Sequence, residues 1–170
     1  MIFFTSDQHY SHHNVIKYCD RPFQNTDAMN HALISNHNEV VTPQDHTVHV
    51  GDFTLKNTPF AQSIIRQLNG SHTFLLGSHD YWMKKKGLQI WEKKVEASYI
   101  VACHYALHTW PRSHFNSWHV FGHSHGNLDL PGKRYDVGVD NNAFYPVSYS
   151  SLKEIMAGKG DNFNLVKKGA

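Results

Sequence analysis

Only two cysteines, Cys19 and Cys103, occur among the 170 residues, and they form no CxxC pair. That scarcity argues against a disulfide-stapled scaffold and against a zinc site built on thiolates. Charge is scarce as well: 18% of residues are charged and the formal balance is +2, too small a surplus to argue by itself for a nucleic-acid partner. No apolar run approaches the length of a membrane span. The opening Met1-Ile2-Phe3-Phe4 is too short for the apolar core of a signal peptide, and Asp7 follows close behind. Internal repeats and low-complexity linkers are missing too. These absences lead to the expectation of a cytoplasmic protein with no membrane partner, in one domain over residues 1–170.

Histidine is what the chain has in excess, with fifteen residues in clusters rather than in a tag-like run. The most informative stretch is Val48-His49-Val50-Gly51-Asp52, a short buried strand ending in a glycine and a carboxylate. A carboxylate at the tip of an interior strand, with no Lys or Arg beside it in sequence, needs a partner. Four other apolar runs also end at once in Asp, His or both: Ile2 to His9, Thr73 to Asp80, Tyr99 to His104 and Val120 to His125. Five strand ends of this kind point to one shared site, with Asp52 as its bridge.

The intervening segments give a coarse fold. Strands are expected over 2–6, 46–51 and 73–76. A helix capped by Asp27 should run from about Ala28 to Val41, and another should start at Thr58-Pro59, continue through Leu68 and end at Asn69-Gly70. Tyr18 to Asn25, including Arg21-Pro22, reads as a loop or surface turn. This βαβαβ opening favours an α/β sheet layered with helices. From Ser98 the chain reads mostly as strand and loop, with candidates at 98–103, 118–122, 134–139 and 146–149. A last helix should run from Ser150 or Ser151 to Met156, followed by one edge strand near Phe163 to Val166 or by nothing.

Carboxylate oxygen and imidazole nitrogen without thiolate suit manganese, iron, zinc, cobalt or nickel. Two cations about 3.5–4 Å apart require a shared carboxylate, and Asp52 can serve. Asp7 and His9 project from one strand end, while His123 and His125 lie on a turn after Gly122, each aimed at a different metal.

Asp7-x-His9, Gly51-Asp52, Gly77-Ser78-His79-Asp80, Cys103-His104 and Gly122-His123-Ser124-His125 resemble, in order and spacing, the five motifs of calcineurin-like metallophosphoesterases. Val137-Gly138-Val139-Asp140 and Pro146-Val147-Ser148 also resemble the small stand-alone bacterial and phage members. The resemblance implies a four-layer α/β/β/α sandwich and a dinuclear phosphohydrolase acting on a small phosphodiester or phosphomonoester. It places one divalent ion on Asp7, His9, Asp52 and His125 and a second on Asp52, His104 and His123, with manganese favoured. Ser78 stands where the family motif has asparagine, and its shorter hydroxyl is a poorer ligand that reaches the second metal through water.

The implied chemistry is in-line attack on phosphorus by a hydroxide bridging the metals. His79 would stabilise the transition state or protonate the leaving oxygen. Asp80 would orient His79 or cap Tyr81-Trp82, and His12 would contact the substrate phosphate or remain a loop histidine. For His13, His31, His37, His46, His49 and His72 no ligand role is expected, whereas one of His108, His114 and His119 is a candidate to line the cleft. Two alternatives remain open. One is an interaction scaffold weakened at Ser78. The other is a nuclease tracking a backbone with Lys84-Lys85-Lys86, Tyr81, Trp82 and Lys93-Lys94, a pattern that also fits a solvated helix face. Oligomeric state is left open.

Overall fold

The computed structural model of the chain describes residues 1–84 and 87–166, and its strands form two four-stranded mixed sheets flanked by helices. In the first sheet β1 (Ile2–Thr5), β2 (His46–His49) and β3 (Ser71–Phe74) run parallel. The second contains β4 (Trp91–Val95), β5 (Ser98–Ala102), β6 (Trp118–Phe121) and β7 (Arg134–Asp136), in that order; β5 to β7 are parallel and β4 is antiparallel to β5. Returning to the first sheet, β8 (Val147–Ser148) pairs antiparallel with β1, giving the order β3-β2-β1-β8. The mixed α/β class expected from the sequence is the class observed.

The helices are α1 (His13–Tyr18), α2 (Thr26–Val40), α3 (Thr58–Ile65) and α4 (Tyr149–Gly158). The starts of α2, α3 and α4 differ by a residue or more from the sequence expectation, because a different side chain meets the free N–H groups in each of the three. Asn25, rather than Asp27, caps α2 by accepting from Ala28 N at 2.9 Å, and Asp27 sits in the first turn where its charge suits the helix dipole. Asn57 caps α3 through Phe60 N at 3.2 Å, and Ser148 caps α4 through Ser151 N at 3.0 Å. The short helix α1 falls in a stretch that carries no capping signal: its N-cap, His12, makes no side-chain cap bond.

Several strand expectations need correction. The third strand is Ser71–Phe74 rather than 73–76, since pairing runs from His46 with Ser71 to His49 with Phe74. Trp91–Val95 is a strand where no strand is evident in the sequence, so Lys93 and Lys94 lie on a sheet edge and not on a helix face. The four-residue spacing of Trp91 and Val95 fits either period, and the exposed Glu92, Lys93 and Lys94 are the charges that keep a free edge from pairing. Lys85 and Lys86 lie outside the described residues. Near the end of the chain, Phe163–Val166 forms a turn rather than a strand, tied by Val166 N to His114 O at 2.9 Å.

The apolar interior is divided in two. One cluster joins the facing sides of the sheets (Phe4, Val48 and Val50 with Ile100, Ala102 and Val120) to Leu152 and Met156 of α4. The other packs Val15, Met29, Leu33, Ala61 and Ile64 of α1 to α3 against Phe53, with Phe74 of the first sheet beside them. Among the described residues no helix is long and apolar enough to cross a membrane.

Candidate metal centre

In each sheet the three parallel strands end on the same side, and a bridge between Ser6 and Gly138 ties the exit of β1 to that of β7. Backbone bonds join the exits further: Ser6 N to Val137 O, Asp7 N to Gly51 O and Gly122 N to His104 O are each 3.1 Å. Side chains just beyond the carboxyl ends of parallel strands are thereby collected at one place, the usual position of a site in open α/β sheets. The loops are held in an unusual conformation. Asp7, His9, Asp52, His123 and His125 have φ of 58°, 51°, 55°, 68° and 48°. A left-handed backbone costs a non-glycine residue about 1–2 kcal/mol, so the surrounding hydrogen bonds must hold these turns in place. Glycine is required beside them: a Cβ on Gly77 would collide with the Asp52 carboxylate and backbone nitrogen, and one on Gly122 with Ser6 and Asp7.

Two groups of side chains come within coordinating reach: Asp7, His9 and His125 in one, and Asp52, His104 and His123 in the other. Asp52 lies between them, its Oδ2 3.6 Å from His9 Nε2 and 3.4 Å from His104 Nε2. His104 donates from Nδ1 to Val50 O at 2.9 Å, which leaves the Nε2 lone pair facing the site. His9 Nδ1, His9 Nε2 and His104 Nε2 are buried without any hydrogen-bond partner. Such atoms are rare in folded proteins, and a divalent cation would satisfy the two Nε2 atoms that flank Asp52.

The electrostatics agree. Burial pushes the Asp7 carboxyl up to about 7, against the lowering influence of His104 and His125. For Asp52, burial raises the carboxyl, but the close approach and charge of His104, followed by the charge of His9, outweigh it and hold the group below the usual carboxylate range. His104 shows the same contact from the other side: burial lowers its pKa, and Asp52 more than reverses that. Burial also drives His9 down to about 3 and keeps it neutral, the form that binds metal. Among the described residues neither Asp7 nor Asp52 forms an ion pair with Lys or Arg. Oxygen and nitrogen donors with a charge deficit fit a divalent cation of intermediate softness.

The remaining predicted site residues surround this centre. Ser78 Oγ donates to Asp52 Oδ2 at 3.1 Å, and His79 N donates to Asp52 Oδ1 at 2.8 Å. The His79 and His12 rings each lie 5.3 Å from that of His9 and 5.9 Å from one another. A cavity of about 600 Å³ lined by Leu76, Ser78, Tyr81, Met83 and Lys84 opens beside Ser78. A larger one of about 750 Å³, between α2 and the end of α3, is lined by none of the predicted site residues.

Asp80 does not orient His79 and caps no helix at Tyr81-Trp82. Its buried carboxylate accepts from Asp52 N, Phe53 N, Gly77 N and Trp82 Nε1 at 2.7, 2.8, 2.9 and 2.9 Å, and from Thr54 N at 3.3 Å. It binds the Gly51–Thr54 and Gly77 loops together. His119 is also structural: it is fully buried and receives the Leu107 N–H at 3.0 Å. His108 packs on Phe163 and His114 on Phe115. His49 and His72 lie on the helix side of the first sheet with their Nε2 and Nδ1 3.1 Å apart, outside both ligand groups.

Sequence reasoning missed Arg21, Asp140 and Tyr105. Arg21, expected in a surface turn, is 4% exposed and pairs with Asp140 at 2.6 and 2.7 Å. Tyr105 places its ring 4.9 Å from both His104 and His123. The Arg-Pro pair looked like turn chemistry, and no local pattern distinguishes a buried arginine. Asp140 sits in the Val137-Gly138-Val139-Asp140 stretch, whose sequence signal is the family resemblance alone. Cys19, His125 and Asp140 form a third close group, although the Asp140 carboxylate is already engaged by Arg21 and His125.

No family model matches the chain. Its fold is similar to that of the protein of unknown function AQ665 from Aquifex aeolicus, with a TM-score of 0.67 and 21% identity, over 91% of this chain and 98% of that one. In sequence it is 30% identical over 165 residues to the uncharacterized protein MJ1445 of Methanocaldococcus jannaschii, covering 91% of this chain and 90% of the relative. At that identity, over nearly the full length of both, the chain belongs to the family of the M. jannaschii protein.

Proposed function

We propose that the chain is a metal-dependent phosphoesterase of the calcineurin-like type, hydrolysing a small phosphoester. The observation that carries this reading is the single Asp52 oxygen lying 3.6 and 3.4 Å from two buried imidazole nitrogens that have no other partner. The paired sheets, with helices packed against them, are compatible with the four-layer α/β/β/α arrangement of that superfamily.

Asp7, His9 and His125 would hold one cation and His104 and His123 the other, with Asp52 shared between them. Two divalent ions, manganese first among the candidates, would supply Lewis acidity that activates water and neutralises phosphoryl oxygens. The protein does the rest. His79, whose ring faces His9, donates a proton to the leaving oxygen. His12 is kept neutral by burial and then by the charge of His79, and it offers a hydrogen bond to a phosphoryl oxygen. Ser78 and the His79 N–H fix the rotamer of Asp52, and the cleft beside Ser78 receives the leaving group.

An interaction scaffold on the same fold would have no need to leave the two Nε2 atoms that flank Asp52 buried without partners. The test is hydrolysis of bis(p-nitrophenyl) phosphate and p-nitrophenyl phosphate with added manganese, nickel or cobalt, together with the metal content of the purified protein. Metal-dependent turnover is expected, and Asp52→Ala should reduce it by more than about 100-fold, beyond the loss typical of residues that only support a ligand. Folded protein that is inactive with every metal would refute the assignment.

A further inference from the structure

The side chains that contact the two ligand groups are not equivalent. His104 is oriented by a backbone carbonyl, whereas His125 is oriented by a carboxylate: its Nδ1 lies 2.7 Å from Asp140 Oδ2. A carboxylate can only accept, so the proton is on Nδ1 and Nε2 keeps its lone pair. Asp140 is itself held by a bidentate contact, Arg21 Nε to Oδ1 at 2.6 Å and Nη2 to Oδ2 at 2.7 Å. The same guanidinium continues into the β1 loop, where Nη2 donates to Asp7 O at 2.7 Å and Nη1 to Gln8 O at 3.0 Å. The Arg21 side chain is fully enclosed, with Met29 Sδ at 3.3 Å and the Phe144 ring at 5.9 Å. Enclosing an arginine this completely is tolerable only where all its donors are engaged by groups fixed in place.

We infer that Arg21 and Asp140 are positioning residues for one cation site only, the one formed by Asp7, His9 and His125. One guanidinium fixes the backbone that presents Asp7 and His9. Through Asp140 it also fixes the tautomer and ring orientation of His125. Asp52, His104 and His123 make no contact with Arg21 or Asp140 and meet them only at one remove, where His123 N donates to the Asp7 carboxylate at 2.9 and 3.1 Å, so the second site keeps its own direct supports. The inference rests on the proposed dinuclear centre and assigns its two halves different supports.

The experiment is manganese titration of wild type, Asp140→Ala, Asp140→Asn and Arg21→Lys, with stoichiometry from equilibrium dialysis and affinities from calorimetry. Circular dichroism checks the fold, and the visible absorption of cobalt-loaded protein reports imidazole ligation. Wild type should bind two equivalents. Asp140→Ala should weaken one of them by about 10–100-fold, as removal of a partner to a ligating histidine does, and leave the other unchanged, with one component of the cobalt spectrum lost. Asp140→Asn keeps the side-chain size and serves if the alanine variant does not fold. Its amide can donate to Nδ1 and move the proton to Nε2, so it too should lose one site. Arg21→Lys, which gives up the fork, should show a smaller loss at the same site. Equal weakening of both sites, or of neither, in folded variants would overturn the inference. Wild-type protein that binds no metal would instead refute the proposed function, and the positioning role with it.

Discussion

Asp80 gives the sharpest test of how the centre is built. Its carboxylate is 1% exposed and receives four N–H groups at 2.7 to 2.9 Å and a fifth at 3.3 Å. Hydrogen bonds to a charged acceptor contribute about 1.5–3 kcal/mol each, and every buried donor left without a partner costs about 1–3 kcal/mol. The contributions do not add in full, because burial raises the Asp80 pKa and so opposes its charged form. Water can also enter the space that alanine leaves. Asp80→Ala is therefore expected to cost about 4 kcal/mol, the scale for breaking a buried, fully engaged charged group. In a chain of this length that corresponds to a fall in Tm of about 8–16 °C. Asp80→Asn, which retains one acceptor oxygen, should lose roughly half as much. The assay is urea denaturation followed by tryptophan fluorescence, with metal-dependent turnover measured on the same samples well below the transition. If Asp80→Ala lost turnover while its stability changed by less than about 1 kcal/mol, a mere surface effect on the usual scale, the loop-tying role would be wrong and an orienting role toward His79 restored.

Gly77→Ala should destabilise the protein by about 1–3 kcal/mol through overpacking, because the new methyl meets Asp52 backbone that cannot move away; a neutral effect on the denaturation midpoint would contradict the packing. Stability should fall as pH is lowered from 6.5 toward 4. Burial holds His72 down at about 4 and lowers His37 and His49 as well. The unfolded chain therefore binds more protons across that window, and stability rises with pH there. His72→Gln should blunt the slope in denaturation curves at pH 7 and 5, and an unchanged slope would remove His72 from the account. Ser78→Asn should raise manganese-dependent diesterase activity by about tenfold, the lower end of what a supporting group at a metal contributes, as read by kcat/KM on bis(p-nitrophenyl) phosphate. A decrease would mean that the Ser78 hydroxyl is needed on Asp52 Oδ2.

Much of this was legible in the chain itself. Apolar runs ending in Asp or His are a local pattern, and they marked Asp7, His9, Asp52, His104, His123 and His125 because chemistry of that kind needs those atoms at strand exits. The alternation of strand and helix over the first 76 residues likewise gave the α/β class, since periodicity is a local property. Other features depend on distant partners. β4 was hidden because a spacing of four residues fits both helix and strand, and only pairing with β5 decides between them. Asp80 looked like a partner for its neighbour His79 until the fold brought Asp52, Phe53 and Thr54 to it across 26 to 28 positions. Arg21 and Asp140, 119 residues apart, have no meaning singly. Sequence determined which atoms could bind a cation, because that is fixed by residue type. Tertiary structure alone decided which are held ready and by what, because hydrogen bonds to a buried side chain are set by where the chain returns.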